Sequence, residues 1–468
     1  MGSRERSSSA ARPVLEKSLW SLTWPLLWSL ALTLSLSFVD AFFLSRVSDR
    51  AAAAVGALLP VLSLTVMLFS PVSQAGSSIA SQLMGAGRHA DVPPTYVALI
   101  ALNAGMGAVA SLTFLLLGGH IPHWLGLEGA MADDAATYLR IVGGGQVLKA
   151  IQIGFTNILN SRGETRWVFA EALFTNVFHV LSNLAFLHGA FGLPQWGVAG
   201  IALSTLLSLS LGMSFTMLVV RFKLRVRLPW STPRAVLRER LRPVLRIGVP
   251  AAFEPMSFQA TQLVVNMFLI RLGAPVLAAR VYAMNFFLVT TILWSVAFGI
   301  GTQIAVAHRV GAALYDDAHR VLVRALSLAV VGNLGLCALL ALAHPWLLGR
   351  LTSDPAVLAA ARPVFLIAPL VEVGRAANIV AGGALRSCGD SRFTAVVGTS
   401  LMWFVGVPAS YLLSTWLGLG LAGVWLAMGL DEGIRGLMNY FRWRTGRWRE
   451  LRVLSRVPPA PAVAEGGA

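Results

Sequence analysis

The sequence predicts an all-α integral membrane protein whose twelve transmembrane helices form two six-helix lobes that arose by duplication. Three observations support this prediction. The composition is too apolar for a soluble domain: of 468 residues, 56% are hydrophobic and 12% charged, against about 25% charged in soluble domains. Long apolar segments recur along the chain, and landmarks of the first half return in the second. We therefore expect most of the chain to lie in the lipid bilayer.

Twelve apolar segments are long enough to cross a bilayer, which takes about 20 residues. We number them spans 1 to 12; they lie near residues 18–44, 55–82, 94–118, 135–158, 167–189, 195–220, 247–270, 280–308, 320–343, 357–384, 392–414 and 419–441. Arginines precede span 1, as in a signal peptide. The span is too long for such a peptide and lacks a small-residue cleavage site, so we expect the mature chain to keep it.

Lysines and arginines predict the orientation, because they are enriched in cytoplasmic segments. With both termini in the cytoplasm, about 27 of the 37 basic residues fall in inside segments and about 6 in outside loops. The expected domains are a cytoplasmic N-tail (1–17), an N-lobe (18–220), a basic cytoplasmic linker (221–246), a C-lobe (247–441) and a cytoplasmic C-tail (442–468). The net charge of +16 lies in short connections and tails, which argues against a nucleic-acid partner.

The two halves repeat four landmarks in the same order. The pairs are Pro25 and Pro250, Gly85 and Gly311, the loops 161–166 and 387–392, and the span openings 197–200 and 420–423. Each pair is separated by 223 to 226 residues. Six is an even number of spans, so both lobes should insert in the same orientation, related by an axis along the membrane normal and with a cavity between them. That architecture suits alternating access better than a pore.

Span 7 has features that an anchoring helix would not need. Glu254 lies within it, close to Pro250 and Pro255. A carboxylate at membrane depth costs about 2.5–3.5 kcal/mol on insertion scales, and each proline removes a backbone donor and bends the helix. Glu254 is therefore either a functional acid facing a wet cavity or a carboxyl near the helix end that reaches the membrane surface.

Other ionisable residues within spans are candidates for ion or substrate binding. They are Asp40, Lys149, Glu372, Arg375, Asp431 and Glu432. Asp40 either titrates in a polar pocket or lies at the outer end of span 1 near Arg46. Glu372 and Arg375 share a helix face and form either a structural ion pair or a proton or sodium site. Asp431 and Glu432 line a cavity or support packing, and Lys149 is expected to pair locally or reach the surface.

A polar stripe follows span 5. Asn176, His179 and Asn183 are spaced three and four residues apart, which places them on one helix face. Such a stripe either lines a cavity or bonds neighbouring helices. The histidine can titrate near neutral pH, although a lone histidine more often serves as a hydrogen-bonding residue.

Sequence motifs of enzymes are absent. There is no HExxH, GxSxG or Walker sequence, and the loops are too short to hold a catalytic domain.

The cysteines and the glycine clusters indicate no reactive or ligand-binding site. Cys337 and Cys388 have neither metal-ligand spacing nor an obvious disulfide partner,. The glycine clusters 143–145 and 382–383 predict close helix packing or a kink. We expect no enzymatic activity and no cofactor.

The chain resembles the multidrug and toxin extrusion (MATE) family over Leu15 to Trp448. The similar sequences are VDAFFLSRVSDRAAAAVGA, SQLMGAGRHADV, NSRGETRW, IGVPAAFE, LRSCGDSRF and GLAGVWLAMGL. The resemblance implies a membrane antiporter that exports bulky, often cationic organic compounds by alternating access, driven by H⁺ or Na⁺. It further implies a multi-pass protein of the bacterial inner membrane, expected here as a monomer.

The resemblance also implies roles for single residues. Asp40 matches the acid of the family's N-lobe cation site, and Glu254 and Glu372 match acids of a C-lobe site found in one bacterial branch, where Na⁺ or H⁺ would bind. Asn176 and Asn183 match polar positions of span 5, and His179 stands where asparagine is common. Pro25 matches a proline at which span 1 bends, and Pro250 is its repeat equivalent, so both are expected hinges. In this pattern no acid of span 5 accompanies Asp40. The resemblance therefore favours Glu254 and Glu372, rather than an N-lobe site, as the residues that bind the ion.

Three rival functions remain open. A flippase of related fold for a lipid-linked saccharide would need a strongly basic cavity. The basic residues Lys149 and Arg375 within the spans favour this alternative, whereas the acids within the spans favour a cationic substrate. A membrane-embedded transferase would need a catalytic loop or a His/Asp set at the interface, and the sequence shows neither. The third possibility is a protein that merely keeps the fold.

Overall fold

The structure is a computed structural model that describes residues 12–189, 195–451 and 453–456. These residues form α-helices, short 3₁₀ segments and π-helical turns, with no strand among them. The helices of spans 1 to 6 are Leu19–Val47, Asp49–Gly85, Val92–Leu117, Gly129–Tyr138 with Gln146–Ser161, Thr165–His188 and Gly197–Leu218. Those of spans 7 to 12 are Arg234–Arg271, Ala274–Phe287 with Leu293–Gly311, Tyr315–Gly349, Pro355–Ser387, Ser391–Leu401 with Val407–Tyr411, and Gly420–Arg444. The predicted all-α membrane fold is confirmed.

Nine helices in the described part of the chain are long and apolar enough to cross a membrane. The three predicted spans outside that group are 4, 7 and 12. Span 4 is broken near its glycines, and spans 7 and 12 carry Glu254, Asp431, Glu432 and Arg435. Spans 7 and 12 thus hold candidate carboxylates, whereas Asp40 and Glu372 lie in spans 1 and 10, which are among the nine apolar helices.

Span 4 breaks where its three glycines stand. A π-helical turn, Leu139–Gly143, ends there, and the helix resumes at Gln146. A Cβ on Gly143 would lie 2.6 Å from Cβ of Phe114, and one on Gly145 would collide with the side chain of Leu206. The glycines therefore serve both of the predicted purposes, close packing and a kink.

The helix of span 7 starts earlier than the sequence predicts. It begins at Arg234 and runs without interruption to Arg271, so residues 234–246 of the expected linker are helical. Leucines 237, 241 and 245 recur at four-residue spacing, which gives this part of the helix an apolar face. This apolar face explains why the helix begins before the predicted start of span 7.

The chain divides into two compact units. The first contains Trp28–Gly248 together with residues 12–14 and 453–456, and the second contains Leu15–Leu27 and residues 249–451. The chain passes from one unit to the other just after Pro25 and just before Pro250. In the first unit, Phe43, Ala54 and Leu139 belong to the core. In the second, the early turns of span 1 contribute Leu19 to a core with Phe298 and Trp443.

Candidate functional site

Glu254 lies at one end of a chain of ion pairs inside the second unit. Its Oε2 accepts a hydrogen bond from Nη1 of Arg386 at 3.1 Å, and its Oε1 lies 3.5 Å from Nη1 of Arg435. Nη2 of Arg435 in turn contacts Asp431 at 2.6 Å and Glu432 at 3.1 Å. The side chain of Glu254 is 14% exposed. Glu254 therefore does not reach outward as an isolated carboxyl but binds two guanidinium groups.

The chain of ion pairs continues from span 12 to span 10. Glu432 Oε1 lies 3.5 Å from Nε of Arg375, and Nη1 of Arg375 donates to Oε1 of Glu372 at 2.6 Å. Asn378 donates to the second oxygen of Glu432 at 2.8 Å. The predicted pair of Glu372 and Arg375 thus forms, but as one part of a larger assembly that also holds Glu254.

The assembly, which we call the carboxylate network, contains an unequal number of charges. It consists of Glu254, Glu372, Asp431, Glu432, Arg375, Arg386 and Arg435. Four carboxylates face three guanidinium groups, so the fully ionised network carries one net negative charge. All members except Glu254 and Arg386 are buried. Uncompensated charge in such surroundings is costly, so the network favours the uptake of one monovalent cation.

Glycines allow the helices of spans 10 and 12 to bring the network together. A Cβ on Gly374 would lie 2.7 Å from the backbone nitrogen of Gly433, and one on Gly436 would lie 2.9 Å from the carbonyl oxygen of Gly374. Only glycine permits this approach. On span 12 the three network residues Asp431, Glu432 and Arg435 lie within a little more than one turn,.

A small cavity reaches two members of the network. It measures about 30 Å³, and Asp431 and Glu432 line it together with polar side chains such as Gln262 and Ser410. This is room for about two water molecules. Oδ1 of Asp431 is buried and has no hydrogen-bond partner among the described residues. Asp431 thus offers an unpaired carboxylate oxygen beside a polar cavity, a suitable position for a proton.

The first unit holds a separate polar cluster around Asp40. Oδ1 of Asp40 lies 2.7 Å from Nε2 of His179, and Nδ1 of His179 lies 3.1 Å from Oγ of Ser208. Because the Ser208 hydroxyl donates to the carbonyl of Thr205, it accepts from His179 Nδ1. One proton can then be shared between His179 Nε2 and Asp40. Asn183 Nδ2 lies 3.1 Å from the same Nε2 and completes the cluster.

Asn176 does not join Asp40, although it shares the helix face of His179. Its amide donates to the carbonyl of Leu32 at 3.1 Å, and its Oδ1 accepts from Ser35 at 2.8 Å. Asn176 therefore bonds span 5 to span 1. Of the predicted polar stripe, His179 and Asn183 belong to the Asp40 cluster and Asn176 to the helix contact beside it.

Glu171 is an intramembrane acid outside the set of predicted site residues. It is buried in span 5, and its Oε1 accepts hydrogen bonds from Gln152 and Thr175. Lys149 donates to Gln152 at 3.5 Å. Span 5 does contain an acid, therefore, although Glu171 joins Lys149 and not Asp40 in the described contacts. The sequence could have indicated this cluster, because it places an acid in span 5 and a lysine in span 4, both within apolar segments.

Gly212 makes room for the Glu171 cluster, which gives a stability prediction. A Cβ at this position would collide with Oγ1 of Thr175 and would lie 2.8 Å from Oε1 of Glu171. We expect Gly212→Ala to destabilise the protein by about 1–3 kcal/mol, measured as a lower thermal unfolding midpoint in detergent. Gly56→Ala is the matched control, since its Cβ would meet nothing within 4 Å. Equal midpoints for the two variants would contradict this packing.

No group of three or more His, Cys, Asp and Glu side chains that could hold a metal ion occurs within residues 12–189, 195–451 and 453–456. Both oxygens of Glu254 face guanidinium groups. A sodium ion at Glu254 would lie against two positive charges, whereas a proton needs only one carboxylate oxygen.

Comparisons with known proteins point in one direction. The sequence model of the family described as MatE matches residues 25–185 and 250–412. The chain is 30% identical over 433 residues to the uncharacterized transporter YisQ of Bacillus subtilis, covering 92% of this chain and 94% of that protein. It is 24% identical to a probable multidrug resistance protein NorM of Thermotoga maritima, covering 95% of each.

The fold has a close counterpart among solved structures. A crystal structure of a MATE protein in the bent conformation superimposes with a TM-score of 0.85 at 18% identity, covering 96% of this chain and 99% of that chain. The twelve-helix fold is therefore shared.

Proposed function

Because this chain belongs to the MatE family, we propose that it is a secondary active transporter that exports organic cations in exchange for protons. The name of the NorM relative supports a multidrug substrate range. We further propose a monomer in the bacterial inner membrane with both termini in the cytoplasm, as the distribution of basic residues favours.

The observation that carries the proposal is the charge imbalance of the carboxylate network. Four carboxylates and three arginines leave one negative charge in a buried place. A single monovalent cation neutralises it, either as a proton on a carboxylate or as part of an organic substrate. Two ligands that compete for one charge cannot both be bound favourably, which couples their movements.

The proposed cycle follows from this competition. The ionised network attracts a lipophilic cation from the cytoplasmic side. After reorientation, a proton from outside neutralises the network, and the substrate leaves because its electrostatic attraction is lost. The protonated protein returns and releases the proton inward. The Asp40 and His179 pair, whose Oδ1 and Nε2 lie 2.7 Å apart, is a second position where a proton can bind.

The proton, rather than sodium, is favoured by the contacts of the acids. Glu254 faces two guanidinium groups at 3.1 and 3.5 Å, and the buried carboxylate oxygens without a partner among the described residues of the network are Oδ1 of Asp431 and Oε2 of Glu372, which belong to two different side chains. A proton requires one such oxygen. A sodium ion requires several converging oxygens and would have to displace an arginine.

Efflux of ethidium tests the proposal. Proteoliposomes or cells that contain the protein receive a proton gradient or a sodium gradient separately, and ethidium fluorescence is followed. We expect export with the proton gradient and none above background with sodium alone. Export driven only by sodium would overturn the choice of ion.

The alternative function is a flippase for a lipid-linked saccharide. It would require a basic cavity for a pyrophosphate group, whereas the carboxylate network is net negative. If well-folded protein moves ethidium under neither gradient, the transport proposal fails and lipid-linked saccharides become the substrates to assay.

A further inference from the structure

The helical part of the linker, residues 234–246, is fixed on the first unit. We call it the linker helix. Nη2 of Arg240 lies 2.8 Å from Oδ1 of Asp91, and the Arg240 side chain is fully buried. Arg88 contacts the other oxygen of Asp91 at 2.6 Å. Immediately after the linker helix, a Cβ on Gly248 would lie 2.7 Å from the backbone of Val72 in span 2. The linker helix is therefore held in one place by a buried ion pair and a close helix contact.

An apolar groove of about 490 Å³ runs beside the linker helix. Leu237 and Leu241 of the linker helix form one wall, and Leu68, Leu102, Met106 and Val109 of spans 2 and 3 form much of the rest. Residues 102–109 of span 3 lie about 15–25 Å along the helix from its start at Val92,. A groove at that depth borders the hydrocarbon region, where an acyl chain can occupy it.

Arginines follow the linker helix beside the two leucines that line the groove. Arg234, Arg238 and Arg242 are exposed and spaced four residues apart, so they form one stripe. The stripe lies about 80° around the helix from Leu237 and Leu241. Glu239 is the sole acidic residue of the sequence from Arg221 to Arg246, against nine basic ones. A helix with an apolar face beside a basic stripe suits a membrane surface that contains anionic lipid.

We propose that the groove and the arginine stripe together bind one anionic phospholipid. Its acyl chain lies in the groove, and its phosphate binds Arg234, Arg238 and Arg242. Neither part suffices alone: the groove would accept any lipid, and the stripe any phosphate. The inference requires the linker helix to lie at the membrane surface and does not depend on which substrate or ion the protein transports.

Native mass spectrometry of the full-length protein in detergent tests the site. Dioleoylphosphatidylglycerol and dioleoylphosphatidylcholine are added in equal amounts, and the bound lipid is counted. We expect wild-type protein to retain phosphatidylglycerol preferentially. The triple variant R234Q/R238Q/R242Q should lose about tenfold or more of that preference, because each basic residue contributes to anionic lipid binding, whereas R234K/R238K/R242K should keep most of it.

A second pair of variants tests the groove without changing charge. Gly105 borders the groove, and a Cβ there would meet nothing within 4 Å, so Gly105→Leu fills the groove without a backbone clash. It should reduce phosphatidylglycerol retention, whereas Gly335→Leu, which is equally open in span 9, should not.

Three results would overturn the proposal. They are equal retention of the two lipids by wild-type protein, unchanged retention in the triple glutamine variant, and unchanged retention in Gly105→Leu. If excess inorganic phosphate displaces the lipid while Gly105→Leu binds normally, the stripe is an anion site only and the acyl-chain part is wrong. Unfolding midpoints equal to wild type would show that the variants are folded.

Discussion

Replacing Glu254 with glutamine should abolish ethidium export and return drug resistance to the level of cells without the protein. In the proposed cycle, the wild-type network alternates between one net negative charge and neutrality. Glu254→Gln leaves three carboxylates facing three guanidinium groups, so the network is neutral at all times. It then resembles the state in which the proposed cycle has already taken up its proton. The amide is similar in size to the carboxyl, and Glu254 is 14% exposed, so the fold should tolerate it.

The measurement combines resistance, ethidium efflux and the amount of protein in the membrane. Membrane abundance should equal that of wild type, which separates lost transport from lost folding. Glu128→Gln is the control: it removes the same charge at an exposed position and should leave export unchanged. Full export by Glu254→Gln would exclude Glu254 as part of the coupling mechanism.

Replacing Arg435 with glutamine should have the largest effect on stability. Arg435 is buried and contacts Asp431 at 2.6 Å, Glu432 at 3.1 Å and Glu254 at 3.5 Å. Without it, four carboxylates face two guanidinium groups, and three of these acids are buried. Removing one partner of a buried ion pair costs about 3–5 kcal/mol, because the remaining charge is uncompensated. We expect a markedly lower thermal unfolding midpoint in detergent and reduced membrane abundance.

A compensating change distinguishes the electrostatic cause from lost packing. The double variant Arg435→Gln with Glu432→Gln removes one positive and one negative charge and restores the original imbalance. It should recover much of the lost unfolding midpoint. Arg444→Gln, at an exposed position near the end of span 12, should change the midpoint little. If the double variant is no more stable than Arg435→Gln alone, repulsion among the acids is not what destabilises it.

The sequence predicts some residues of the site and does not predict others. Asp40, Glu254 and Glu372 can be predicted as site residues because an acid inside an apolar span is rare. The same rule applies to Glu171, but the resemblance to the MATE family indicates other positions of span 5 and not this acid. Asp431 and Glu432 were recognised as intramembrane acids, yet nothing local indicated whether they line a cavity or support packing. The role of Arg386 as a partner of Glu254 had no sequence signal at all.

The sequence by itself determined the all-α membrane fold and its twelve spans. It could do so because a transmembrane helix satisfies its backbone hydrogen bonds within its own segment, so that local composition suffices. Tertiary structure alone decided which charges meet. Glu254 and Arg386 are separated by 132 residues. Glycines such as Gly374 and Gly436 let the helices of spans 10 and 12, which carry all the other members of the network, approach each other. Ion pairing falls off with distance in space, and distances between helices are set by packing rather than by the local sequence of any one span.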